Sequence, residues 1–164
     1  MLEVFVNAVL EDRQNNSYIV LLKEKYGQRT LPIWIGENEA FAIALSLEGK
    51  KPPRPLTHDL LKLIIDAFQS EVVKVEVVAL KMVNESGTYF AKIYIKSEGK
   101  VIAIDARPSD SIALALRTGS AIFVDPKVMD ENGKVLEGDT NLDEMKRRLR
   151  NTKPEEFGDF HLDK

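Results

Sequence analysis

Acids, arginines and one histidine gather at three points where apolar segments end, and these are residue types that phosphate chemistry uses. Asp105, Arg107, Ser109 and Asp110 lie between the apolar run 101–104 and the apolar segment 112–116. Arg54, Thr57, His58 and Asp59 lie just ahead of a stripe made by Leu60, Leu61, Ile64, Ile65 and Phe68. Glu37 and Glu39 follow Gly36 at the end of a third apolar run, and a fourth cluster, 146–150, is basic. Asp105 and Asp110 are carboxylates able to hold a divalent cation. Mg²⁺ or Mn²⁺ there would keep waters and take substrate phosphate into its shell. Glu37, Glu39 or Asp59 would add a ligand. Arg54 and Arg107 have the planar forks that clamp phosphate oxygens, with Ser109 beside them as a further substrate-binding candidate. His58 is a natural proton shuttle near neutral pH, and Asp59 is the acid next to it.

The same residues also have an architectural reading. Thr57 suits a helix N-cap, and Asp59 complements the dipole of the first turn. Pro108 fits a first helical position, Ser109 and Asp110 cap it, and Arg107 pairs with an acid. The basic run 146–150 reads as a solvated helix face, a phosphate-backbone contact or a docking site on a sister subunit. Spacing leaves these alternatives open, because structural ion pairs gather at such junctions too.

Alternation and helical periodicity supply the elements that would position these residues. Residues 2–11 alternate, with Leu2, Val4, Val6, Ala8 and Leu10 on one face, and read as a strand. Strands follow at 17–23 and 29–35, separated by turns. Pro32 removes a ladder donor and marks an edge or a bulge, and Trp34 points to the opposite face of that strand. Acids open a helix over 37–48 whose body is apolar nearly all round, so it is sandwiched or meets another subunit. The loop 49–55 carries three prolines and runs extended. A helix over 57–69 has one apolar stripe for a sheet and a polar face for water. Strands at 72–82, 88–96 and 101–105 form a second meander. The first of these places Val73, Val75, Val77 and Ala79 inward, with Lys74 and Glu76 outward. A buried helix over 108–118 and a short strand over 121–124 complete the pattern. The order is βββ-αα-βββ-α-β, an α+β fold with a mainly antiparallel sheet covered by three helices. The stretch after 126 reads as a peripheral polar appendage with a short basic helix. Residues 1–130 are then the domain and 131–164 the appendage.

Composition bounds the function. The 164 residues are 44% hydrophobic and 30% charged, which fits one globular domain. No run is long enough to span a membrane, and the alternating N-terminus is no signal peptide. The absence of cysteine excludes disulfides, thiolate metal sites and cysteine nucleophiles, and it fits a cytoplasmic location. Many Lys and Glu with only two His suit a thermophile. With 23 basic and 26 acidic residues, the net charge of −3 argues against a broadly basic nucleic-acid coat.

Three stretches, 31–40 (LPIWIGENEA), 54–61 (RPLTHDLL) and 105–115 (DARPSDSIALA), together resemble the bifunctional nuclease family. The resemblance covers roughly residues 2–130 and fits a stand-alone bacterial domain. It implies activity on both DNA and RNA. It also turns attention to the chemically apt residues of the matched motifs: Glu37, Glu39, Arg54, His58, Asp59, Asp105, Arg107, Ser109 and Asp110. The leading expectation is a metal-assisted phosphodiesterase. Asp105 and Asp110 hold Mg²⁺ or Mn²⁺ with Glu37 or Glu39, His58 and Asp59 serve proton transfer, and Arg54, Arg107 and Ser109 bind substrate. The rival is a non-catalytic oligomeric module that binds nucleic acid or protein. The apolar helix and the open sheet edges also lead to a homo-oligomer, with a dimer favoured.

Overall fold

The structure, a computed structural model, describes residues 1–13, 16–84 and 86–136. Its elements are β1 (Leu2–Asp12), β2 (Ser17–Glu24), β3 (Arg29–Ile35), α1 (Glu37–Leu47), α2 (Thr57–Ala67), β4 (Glu71–Val83), β5 (Ser86–Ser97), β6 (Lys100–Ala106), α3 (Pro108–Thr118), β7 (Ala121–Val124), α4 (Pro126–Asn132) and β8 (Lys134–Val135). The eight strands form one sheet in the order β6-β5-β4-β7-β1-β2-β3-β8. Among the described residues only β4 and β7 pair in parallel. The fold is α+β, as the hairpin turns require. Short β7 joins the two meanders, antiparallel to β1 on one side and parallel to β4 on the other. No helix among the described residues is long and apolar enough to cross a membrane.

Two bulged strands depart from simple alternation. β1 shifts register between Val6 and Ala8. Ahead of the shift Val4 joins the main core, whereas Ala8 and Leu10 beyond it join Ile19, Leu21 and Trp34 in a second cluster. One extra residue turns every later side chain to the other face. β4 shifts between Val72 and Lys74 and again between Val77 and Ala79. Val72 is therefore buried where Val73 was expected, and Val73 is exposed. Glu76, expected to face water, is buried too. It accepts hydrogen bonds from Lys74 Nζ and from the Tyr94 hydroxyl, both at 2.6 Å, which make its burial tolerable. Pro32 lies beyond the short stretch of β3 that β8 covers, so its missing donor leaves no ladder bond unmade there.

α3 is the buried helix of the fold. Ile112, Ala113, Leu114 and Ala115 are within 1% of complete burial. Pro108 occupies its first turn, and Gly119 ends it at φ 70°, a left-handed conformation that glycine adopts without steric cost. α1 packs on α3 and β2 through Ala42, Ile43 and their neighbours, so it is sandwiched on one side while Phe41 and Leu47 face out. α2 differs from expectation. Of its apolar stripe only Ile65 is buried, and Leu60, Leu61, Ile64 and Phe68 are exposed. Its amphipathic pattern is strong, but the sheet is already covered by α3, so the helix leans on α3 through its other side.

The stretch from 126 to 136 is no appendage. Val128 and Met129 of α4 are in the core, Arg29 of β3 bonds Asp130, and β8 adds a strand to β3. A short element with only two or three apolar residues carries little periodic signal. The basic run 146–150 and the rest of the tail from 137 onward lie outside the described residues.

Candidate functional site

α1, α2 and α3 bring their N-terminal turns together at one end of the helical layer, where free N–H groups and partial positive charge concentrate. The strand-to-helix junction at Arg107 delivers α3 there, and the extended loop before Thr57 delivers α2. A groove of about 600 Å³ opens between them, walled by Glu39, Phe41, Leu56, His58, Arg107 and Asp110. Two of the three recognisable motifs thus meet a glutamate of the other across one concavity.

Asp110 is the hub. Its Oδ1 lies 3.0 Å from His58 Nε2. Arg107 grips the same carboxylate with two donors, Nε to Oδ2 at 2.7 Å and Nη2 to Oδ1 at 3.1 Å. The third arm of that guanidinium, Nη1, donates to Glu39 Oε1 at 2.8 Å. Glu39 folds back over Gly36 to reach it, in space that a Cβ at Gly36 would fill. Burial pushes the Asp110 carboxyl up, but the hydrogen bonds from Arg107 and His58 outweigh it and hold the acid below its ordinary 3.8. The His58 side chain is only 12% exposed, whereas that of Arg107 is 64% exposed, so the imidazole is held while the guanidinium borders solvent.

Asp59 points elsewhere. It accepts the Leu56 backbone N–H at 2.9 Å, closing the first turn of α2, and Arg117 Nε at 2.6 Å. Burial raises its pKa, but the Leu56 and Arg117 hydrogen bonds prevail and the net shift is downward. Arg117 was not among the residues singled out from sequence. Its side chain is 8% exposed and also donates to the carbonyls of Ala42 and Ala113, so it ties α1, α2 and α3 together. The signal was present: a lone arginine in an otherwise apolar buried helix needs a partner.

The other candidates disperse. Asp105 is exposed on β6, opposite Lys92 of β5. Glu37 lines a separate groove with Glu11 and Tyr18. Ser109 is buried in the first turn of α3, and Arg54 is exposed in the loop before α2. Among the described residues no three His, Asp or Glu side chains gather closely enough to hold a metal ion. Glu39 and Asp110, the carboxylates that do meet, are bridged by Arg107, whose charge stands between them.

Residues 20–137 match the sequence model of the bifunctional nuclease domain, and every candidate site residue falls inside that span. The chain belongs to the bifunctional nuclease domain family. An uncharacterized protein of Mycobacterium tuberculosis is 38% identical over 158 residues, covering 96% of this chain and 92% of the mycobacterial one. Bifunctional nuclease 1 of Oryza sativa subsp. indica is 28% identical over 127 residues, 76% of this chain and 37% of the rice protein. A bifunctional nuclease of Oryza minuta matches to the same extent. The chain thus spans little more than a third of these plant members of the family.

Proposed function

We propose that this protein is a nuclease that hydrolyses phosphodiester bonds of DNA and RNA in the groove between α1, α2 and α3. The observation that carries the reading is the His58–Asp110 pair at 3.0 Å, set in a groove wall beside an exposed guanidinium. Membership of a nuclease family supports it. Asp110 occupies Nε2 of His58, which leaves Nδ1 to take a proton from a water that attacks phosphorus as the bond to the leaving sugar oxygen breaks, that oxygen taking its proton from solvent. The carboxylate then stabilises the imidazolium that forms. Arg107 gives up its Glu39 contact for a phosphoryl oxygen and neutralises charge that builds on phosphorus. Arg54 reaches a neighbouring phosphate from the loop. Phe41, 59% exposed at the groove, offers a ring on which a base stacks, and none of these contacts requires a 2′-hydroxyl. No step is assigned to a metal ion. The cysteine-free sequence and family membership support a cytoplasmic enzyme.

Cleavage of end-labelled single-stranded DNA and RNA oligonucleotides tests the assignment. His58→Asn should lower kcat by about 10²- to 10⁴-fold, the usual contribution of a general base, while thermal unfolding is unchanged. Equal cleavage by variant and wild type would refute it. Oligonucleotide binding without cleavage by the folded wild type would make the groove a binding site and favour the non-catalytic module. Activity that is abolished by a chelator and restored by Mn²⁺ would overturn the metal-free step.

A further inference from the structure

The groove beside His58 meets a second groove on each side, and the two differ in charge. Past Asn38 and Phe41, which line both, it meets one walled by Glu11, Glu37 and Tyr18. Among the described residues no lysine or arginine lines that one. Past Pro55, which again lines both, it meets a groove of about 580 Å³. The helices carry the walls from one to the other. α1 runs from Ala42 to Ser46 and α2 from His58 to Lys62, one turn in each case, while α3 runs from Asp110 to Arg117.

This second groove is basic in a chain of net charge −3. Lys50, Lys51 and Lys62 line it, and Asp59, the carboxylate among its described lining residues, is already held by Arg117. Lys50 pairs with Glu48 and Lys62 with Asp66, but all four side chains are at least a third exposed. Such pairs contribute little and yield to a competing anion. Lys51 is exposed and has no ion pair among the described residues. Pro52, Pro53, Leu63 and Leu116 give the same groove an apolar surface. The prolines also fix the backbone that carries Lys50 and Lys51, so less freedom is lost when an anion binds there.

We propose that the lysine-lined groove holds the flank of a single-stranded nucleic acid whose scissile phosphate lies beside His58, an inference that rests on the nuclease reading above. Backbone phosphates meet Lys50, Lys51 and Lys62, and the apolar surface takes sugar and base faces that a duplex would keep stacked inside. Arg54, next to Pro55 in the chain, stands at the crossing between the two grooves. The acidic groove repels the same backbone, so the strand leaves the site past Pro55 and not past Phe41. The substrate is then a strand long enough to span both grooves, held by charge and apolar contact without base-edge readout.

Fluorescence anisotropy with phosphorothioate oligothymidylates, which resist hydrolysis, reads the groove independently of cleavage. Lys51→Ala combined with Lys62→Ala should raise Kd for a strand that spans both grooves on the order of 10-fold. The slope of log affinity against log salt should shrink by about 0.7 for each lysine removed. For a thymidine dinucleotide, which fills only the site beside His58, Kd should change less than about twofold. Lys92→Ala combined with Lys96→Ala removes equal charge from exposed positions of β5 and should leave both affinities as they were. A loss just as large in this control pair would overturn the proposal, since net charge alone would then explain it. So would an equal loss for the dinucleotide, an unchanged salt slope, or a duplex that binds as tightly as the single strand. Length-dependent binding that needs Lys51 and Lys62, in a wild type that leaves ordinary oligonucleotides uncut, would support the strand groove and overturn the nuclease reading alone.

Discussion

His58 and Asp59 are neighbours on α2, and α3 meets each with a charged partner, yet the two pairs live in different environments. Asp59 meets Arg117, whose side chain is almost wholly enclosed and whose remaining donors go to carbonyls of α1 and α3. His58 meets Asp110, which is shared with Arg107, and Arg107 opens onto the groove. The first pair has no room to change partners, and loss of Asp59 would leave the enclosed Arg117 charge without its ion partner. The second can exchange Glu39 for a phosphate at little cost, because that contact is already half in water. Both pairs rest on an aspartate carboxylate. Burial and the completeness of the hydrogen bonding separate the pin from the working site.

The largest expected effect falls on the pin. Arg117→Ala should destabilise the fold by about 2–3 kcal/mol, read from urea unfolding, because it removes the hydrogen bonds to Asp59, Ala42 and Ala113 that tie three helices. A loss under about 1 kcal/mol would show the pair to be no different from the open one. His58→Asn should do the reverse, with the loss of kcat given above and a stability change within about 1 kcal/mol. If unfolding is the main consequence, the groove pair is a second pin.

A smaller effect should appear on acidification. Asp59 and Asp110 both have folded pKa values below the ordinary 3.8, so each stabilises the protein above that value. That contribution is lost as pH falls through the lower folded values. The thermal midpoint should therefore drop between roughly pH 5 and pH 2, and Asp110→Asn should flatten part of that limb. An unchanged limb would mean that Asp110 is not held by Arg107 and His58 in solution. Smallest of all, Glu39→Gln should alter stability by less than about 1 kcal/mol, since its partner is mostly exposed. KM for an oligonucleotide should fall, because phosphate then competes less for Arg107. A rise in KM would place Glu39 on the substrate side.

Much of the fold was legible along the chain. The helices at 37–47, 57–67 and 108–118 and the two meanders follow from periodicity that the structure respects. The bulges in β1 and β4 were not legible, because an inserted residue shifts the pattern without changing its composition. α4 escaped because seven residues hold too few turns to show a face. The site was legible in part: His58, Arg107, Asp110 and Glu39 converge, while Asp105, five residues from Asp110, ends on an exposed strand.

Local sequence determined the elements and the chemical types at their ends, because backbone preference and apolar spacing act over a few residues. The pairing of those ends was a matter for the tertiary structure. Residues 58 and 110 are 52 apart in the chain, and 39 and 107 are 68 apart. Nothing in either neighbourhood encodes the other, and only the packing of α1 and α2 on buried α3 places their charges within hydrogen-bond reach. The same packing decided which apolar stripe became core. α3 took the sheet, and α2, with a comparable stripe, was left facing outward with β6.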